Sequence, residues 1–280
     1  MALPTFVVIG AMKAGTTSLH GYLAAHPDAY MATPKELNFF VAGKNWERGT
    51  QWYEERFEPG AAARARGEAS PDYTKADVFE GVPKRMADVV PHVRLVYLVR
   101  QPVERMRSMY LHEVAAGRET RAVEVALQDN EHYLNTSRYA WQLDQFLEHF
   151  PPEQILVIAS EQLRDDRVTT LARVASFLGL EPMPLDDAIV AAERGRTTDK
   201  RVTHPVIRRL RSSRAGAAVA ERTPLVLRRL GRTMARRSLA AEKAVLSPAL
   251  QAELTARLAS DVARLRAFAP GAVDAWNLRQ

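Results

Sequence analysis

The chain has 280 residues, 46% of them hydrophobic and 26% charged, proportions that exclude collagen, coiled coil and wholesale disorder. With no cysteine, disulfides, thiolate metal sites and a cysteine nucleophile are excluded as well. The formal net charge of +6 is unevenly placed: residues 205–238 hold ten arginines and a single acid, Glu221, so that segment carries +9 and the remainder sums to −3. A basic surface of the kind that grips nucleic acid throughout is therefore not expected.

Residues 5–9 (TFVVI) form a short, β-branched apolar run ending at Gly10, which reads as a buried strand. Residues 16–25 (TTSLHGYLAA) read as a helix, with Leu19 and Leu23 four apart, closed by His26-Pro27. A second buried strand is expected at 94–99 (RLVYLV), followed by a helix opened by Pro102. A third strand is expected at 155–159 (ILVIA), and a helical run near 168–178 follows it. Strands alternating with helices predict an α/β fold: three layers, with a central parallel sheet flanked by crossover helices. A single domain is expected, with a core over about 5–205, a helical, Arg-rich insertion or lid over about 206–240, and a final amphipathic helix at 248–268 capped by Ser247 with Pro248 at its first position.

The turn between the first strand and helix reads Gly10-Ala11-Met12-Lys13-Ala14-Gly15-Thr16-Thr17-Ser18. A glycine-rich turn into a helix aims backbone N–H groups at one spot, where the helix adds partial positive charge. One lysine and three hydroxyls complete an anion cradle, and phosphate is the expected guest. The nucleotide triphosphatase loop places its lysine directly after the second glycine. Here Thr16 follows Gly15 and the lysine lies inside the loop. Such an enzyme also needs an acid for magnesium; Asp72 and Asp77 are the available ones, and neither ends an apolar strand. Arg100 directly follows the second strand, and Ser108 lies eight residues on, along the next helix. A residue at a strand's carboxyl end faces the ligand crevice of an open α/β sheet, and an arginine fork there suits a second phosphate.

The strings KAGTTSL, HPD and PKELNFF, with LVRQPVERMRSMY further on, resemble the sulfotransferases that use 3′-phosphoadenosine 5′-phosphosulfate (PAPS). They are closest to the branch containing the heparan sulfate N- and 3-O-sulfotransferases and their bacterial relatives. The resemblance covers roughly residues 5–205 and implies a P-loop-like fold. It implies that Lys13, Ala14, Gly15, Thr16, Thr17 and Ser18 hold the 5′-phosphate, that Lys13 also follows charge onto the leaving group, and that Arg100 and Ser108 hold the 3′-phosphate. It implies Glu36 as the base that deprotonates the acceptor. Lys35 is a weaker candidate for a donor or acceptor contact, and Phe39 and Phe40 read as core or pocket wall. Glu68 and Ser70 are placed on the acceptor side, Tyr73 there or else as packing, and Tyr139 near donor or acceptor or else as packing. Lys200 and Arg201 fall where the family has a basic loop over the nucleotide, although Arg201 occupies that pattern's glycine position.

Two positions depart from the 3-O-branch: Asn38 stands where it has histidine, and Ala69 where it has lysine. Both departures bear on the acceptor and leave the donor site intact. The implied co-substrate is PAPS, its product is 3′-phosphoadenosine 5′-phosphate (PAP), and no metal is required. The acceptor is a small molecule, glycan or lipid. Residues 206–237 are basic and amphipathic and contain no Phe, Trp or Tyr. They read as a solvated hairpin, a lid over an anionic donor, a site for an acidic acceptor, or a peripheral membrane contact, and not as a stacking surface for nucleic acid. A kinase or triphosphatase of the same broad fold and a non-catalytic binder of polyanions or membranes are the alternatives. No apolar run approaches the roughly 20 residues that cross a bilayer, and the first residues lack the basic leader of a signal peptide. A cytoplasmic protein is expected.

Overall fold

The computed structural model describes residues 2–182 and 244–276. Lys200, Arg201 and the arginine-rich stretch 206–237 lie outside the described residues. In chain order the elements are β1 (Phe6–Gly10), α1 (Thr16–Ala25), β2 (Ala29–Met31), α2 (Gly49–Glu55), β3 (Ala65–Ala69), α3 (Val82–Val89), β4 (Arg94–Val99), α4 (Pro102–Ala115), α5 (Val123–Asp129), α6 (Glu131–Asn135) and α7 (Tyr139–Leu147). They continue with β5 (Ile155–Ala159), α8 (Ser160–Asp165), α9 (Arg167–Leu178), α10 (Pro248–Phe268) and α11 (Pro270–Asp274).

The strands form one five-stranded sheet in the order β2-β3-β1-β4-β5. Every pairing is parallel, with Val8 opposite Ala69 on one side and Val96 on the other. Parallel neighbours cannot be joined by a hairpin, and helices flank the sheet as the strand–helix alternation predicts. The three strands expected from apolar runs are β1, β4 and β5. Their residues are buried, apart from Arg94 at the start of β4, as a strand covered on both faces must be. The sequence reading missed β2 and β3. β2 has three residues, and β3 reads Ala-Arg-Gly-Glu-Ala, with two charges and a glycine where an apolar run is the usual signal. Gly67 is needed there: a Cβ would lie 2.2 Å from the Phe6 ring.

From β1 the chain moves out to β2 and returns as β3 on one side, then crosses to β4 and β5 on the other. This reversal is the switch point at which open α/β sheets bind ligands, at the carboxyl ends of the strands. It brings the end of β1 beside the end of β4.

The last long helix forms as expected. The Ser247 hydroxyl accepts the Leu250 amide at 3.3 Å, with Pro248 in the first turn. Leu250, Leu254 and Leu258 are buried four apart, against Val103, Met106 and Met109 of α4 and Leu127, Tyr133 and Leu134 of α5 and α6. Burying each such leucine stabilises by about 1.5–3 kcal/mol. One turn on, buried Asp261 accepts the Ala140 and Trp141 amides at 3.0 and 2.9 Å. It caps the first turn of α7, whose amides have no partner within the helix. Burial raises its carboxyl above the ordinary value against the pull of those two amides.

Candidate active site

The loop leaving β1 is shaped by its backbone. Gly10 passes so close to Thr74 that a Cβ would meet its hydroxyl oxygen at 2.0 Å. Lys13 and Gly15 both take left-handed φ values, 72° and 99°. The Ala11 amide donates to the Leu98 carbonyl of β4 at 2.6 Å, and the Ala14 amide to Ala11 at 3.1 Å. The turn therefore uses Ala14 internally, and its methyl is buried. Gly15 caps α1, leaving the first amides of that helix and the hydroxyls of Thr16, Thr17 and Ser18 as the polar groups of the cradle.

Arg100 leaves the end of β4. Its backbone is held by Tyr139, whose hydroxyl donates to the Arg100 carbonyl at 2.8 Å and accepts its amide at 3.3 Å. The guanidinium reaches the Lys13 carbonyl at 3.5 Å and Glu104 at 3.5 Å. Gln101 caps α4 through the Glu104 amide at 2.6 Å. Ser108 and His112 follow one turn apart on α4, on one face. Beneath them Arg105 is fully buried. It donates to the Ser137 hydroxyl and the Tyr133 carbonyl, each at 2.6 Å, to the Met12 carbonyl at 3.5 Å and to the Met109 sulfur at 3.2 Å. Among the described residues no carboxylate pairs with it. Burial lowers its pKa, yet a guanidinium stays protonated in proteins, so a permanent positive charge sits behind the loop.

These groups open onto one cleft of about 340 Å³, lined by Met12, Lys13, Gly15, Thr16, Thr17, Ser18, Glu36, Pro71, Asp72, Arg100, Ser108, His112 and Ser160. A family model for the sulfotransferase domain matches residues 3–212. The chain belongs to the sulfotransferase family. It is 31% identical over 202 residues to the bifunctional heparan sulfate N-deacetylase/N-sulfotransferase 3 of Homo sapiens, covering 64% of this chain and 23% of that protein. It is 28% identical over 211 residues to the corresponding protein 1 of Caenorhabditis elegans, covering 67% and 23%. The chain thus spans about a quarter of the length of the curated relatives it matches. A sulfotransferase from Alicyclobacillus acidocaldarius is similar in structure over 95% of this chain and 96% of its own, with a TM-score of 0.69 and 28% identity.

The cleft of this sulfotransferase gathers Lys13, Gly15, Thr16, Thr17, Ser18, Glu36, Arg100 and Ser108, eight of the residues singled out in the sequence. Glu36 sits at φ 68°, half-exposed, with Lys35 at 2.6 Å; Lys35 therefore bears on the site through Glu36. Tyr139, Glu68 and Ser70 are buried. Tyr139 braces the Arg100 backbone. Glu68 and Ser70 lie under the Glu36 loop, 1% and 0% exposed, and face Tyr53 and Tyr73. Tyr73 is packed in the core.

Asp72, His112 and Ser160 line the cleft without having been singled out for it. Ser160 had a signal, since it follows the third expected strand; His112 had one too, four residues beyond Ser108. Asp72, weighed above as a magnesium ligand, has one carboxylate oxygen on Lys75 at 2.6 Å and the other on Lys44. Burial pushes its carboxyl up, but the two ammonium groups outweigh this and hold it below its ordinary value. Asp77 pairs with His132 at 2.6 Å and does not line the cleft. Among the described residues no helix is long and apolar enough to cross a membrane.

Proposed function

We propose that this protein transfers a sulfuryl group from PAPS to a hydroxyl or amine of an acceptor, in line, with Glu36 as the base and without a metal requirement. The observation that supports the reading is one cleft lined by two cationic side chains, Lys13 and Arg100, and by the Glu36 and Asp72 carboxylates. One anion grip is Lys13 with the start of α1; the other is Arg100 with Ser108. A donor bearing phosphate at both its 5′ and 3′ positions matches both. The donor supplies an activated sulfuryl group and a phosphate leaving group that gains negative charge.

The chain supplies the rest. Lys13 and the α1 amides meet that growing charge without reorganising. Arg100 and Ser108 fix the far end and so orient the reacting centre. Glu36 accepts the acceptor's proton, a role worth roughly 10²–10⁴ in rate. Asp72 suits that role less well, since two lysines hold it below the ordinary carboxylate range and weaken it as a base. The human and nematode relatives are named N-sulfotransferases, so an amine is the first acceptor class to try. Asn38 and Ala69, which depart from the 3-O-branch, stand against carrying that branch's acceptor over unchanged.

Calorimetric titration with PAP beside ADP and ATP–magnesium tests the donor without an acceptor. Tight binding of PAP alone, lost in Arg100→Ala, is the expected result. Equal or tighter binding of ATP–magnesium overturns the reading in favour of a kinase. Lys13→Ala and Glu36→Gln should each slow turnover by at least about tenfold, and chelation of metals should leave it unchanged.

A further inference from the structure

Glu68 is a buried carboxylate that the transfer step does not use, and its surroundings point to one task. Oε1 accepts the hydroxyls of Tyr53 at 2.9 Å and Tyr73 at 2.6 Å. Oε2 accepts the Ser70 hydroxyl at 2.6 Å. The Leu37 amide lies near enough to the same carboxylate to favour its charged form. The Ser70 oxygen, having given its proton to Glu68, accepts the Asn38 amide at 2.9 Å. The Asn38 amide, two residues after Glu36, therefore ends through one hydroxyl on Glu68.

The rest of the loop is pinned as well. Asn45 donates to the Leu37 carbonyl at 2.8 Å and the Asn38 side chain to the Glu36 carbonyl at 3.2 Å. This restraint has something to oppose. Glu36 and Asn38 hold φ values of 68° and 48°, a region that non-glycine residues enter only at a cost of about 1–3 kcal/mol each. Released, the backbone would relax and carry the Glu36 side chain out of its place in the cleft. Burial also pushes the Tyr53 and Tyr73 phenols far above their ordinary range, so both remain protonated donors. Burial raises Glu68 while its four polar neighbours pull it back. Three hydroxyls donate to this one carboxylate, an arrangement suited to an acceptor and not to a proton donor.

We infer that Glu68 is a positioning residue for Glu36, holding the 36–38 loop in its strained form by way of Ser70 and the Asn38 amide. The inference rests on the reading of Glu36 as the base.

Glu68→Gln preserves shape but turns an acceptor into a donor that faces donors. Hydrogen exchange should rise at the Leu37 and Asn38 amides and stay unchanged at Thr16 and Thr17. Turnover, read as PAP released from PAPS with water as the acceptor, should fall about tenfold or more, while PAP affinity stays within about twofold. The double variant E36Q/E68Q should be no slower than E36Q alone, because a residue acting through Glu36 has nothing left to position. Multiplying losses, unchanged exchange at 37 and 38, or a parallel fall in PAP affinity would each overturn the inference. Should E68Q not fold, Ser70→Ala asks the same question, with the same pattern and a loss of about threefold expected. The two readings fail separately. Full turnover by E36Q ends the base assignment whatever Glu68 does; a slow E36Q beside an unimpaired E68Q ends the positioning role alone.

Discussion

The two ends of the cleft are built by different means. At the donor end the shape is in the main chain: Gly10 passing close to Thr74, left-handed Lys13 and Gly15, and the opening of α1. The supporting charge is a buried arginine bonded, among the described residues, to neutral acceptors. At the Glu36 end side chains do more of the shaping: the buried Glu68 carboxylate accepts the Ser70 hydroxyl, whose oxygen accepts the Asn38 amide. A buried cation thus lies behind Met12, and a buried carboxylate lies under the Glu36 loop, where Glu36 itself is paired with Lys35. The lesson is that the donor end depends on backbone geometry, which few substitutions respect, and the base end on a hydrogen-bond network, which isosteric substitutions can dissect.

The largest effect that separates the ends should come from Arg100→Ala. Losing a charge-assisted fork should weaken PAP binding by about 10–100-fold and leave amide exchange at Leu37 and Asn38 unchanged; calorimetry and exchange together check this. Arg105→Met comes next. It strips the Tyr133 carbonyl and the Ser137 hydroxyl of their donor, so it should cost roughly 2–4 kcal/mol in denaturant unfolding. It should also weaken PAP binding through loss of the charge behind Met12, again with the Glu36 loop unaffected. Tyr139→Phe removes the phenol that holds both backbone groups of Arg100. A loss of roughly 0.5–1.5 kcal/mol and a few-fold weaker PAP binding are expected, from the same two measurements.

The smallest effect is one of pH. The folded pKa of Asp72 lies below its unfolded value, so the unfolded chain binds more protons as pH falls. Its contribution to stability is present above about pH 4 and is lost as pH falls through the lowered folded value. Asp72→Asn should flatten that acid limb in thermal melts and leave melts near neutral pH almost parallel.

Much of the donor end was legible in the sequence because its signals are local. A β-branched run, two glycines around a lysine and a helix start lie within about a dozen residues, and the arginine after β4 is marked by the strand before it. The cap of α10 at Ser247 was legible for the same reason. What the sequence hid were pairings across long separations. Glu68 and Ser70 read as polar residues available to an acceptor; β3 carries them into the interior, where Tyr53, Tyr73 and the Leu37 amide wait. Nothing near Tyr139 in the chain shows that its hydroxyl ends on Arg100. Arg105 sits among exposed-looking charges on α4, and only the packing of α6 and the segment to Ser137 over it buries it. β2 was too short to register, and β3 carried the wrong composition for a central strand.

The Asp261 cap has a consequence for the order in which the protein becomes competent. Asp261 fixes the first turn of α7, Tyr139 opens that turn, and its hydroxyl holds Arg100. The helix that carries Asp261 lies beyond the 3–212 stretch that the family model matches. As the ribosome releases the chain, the sheet and the phosphate loop can assemble long before α10 emerges. The arginine grip is braced only when that helix arrives and docks. A product released early would keep the family's motifs and the sheet beneath them, but its arginine anchor would be loose.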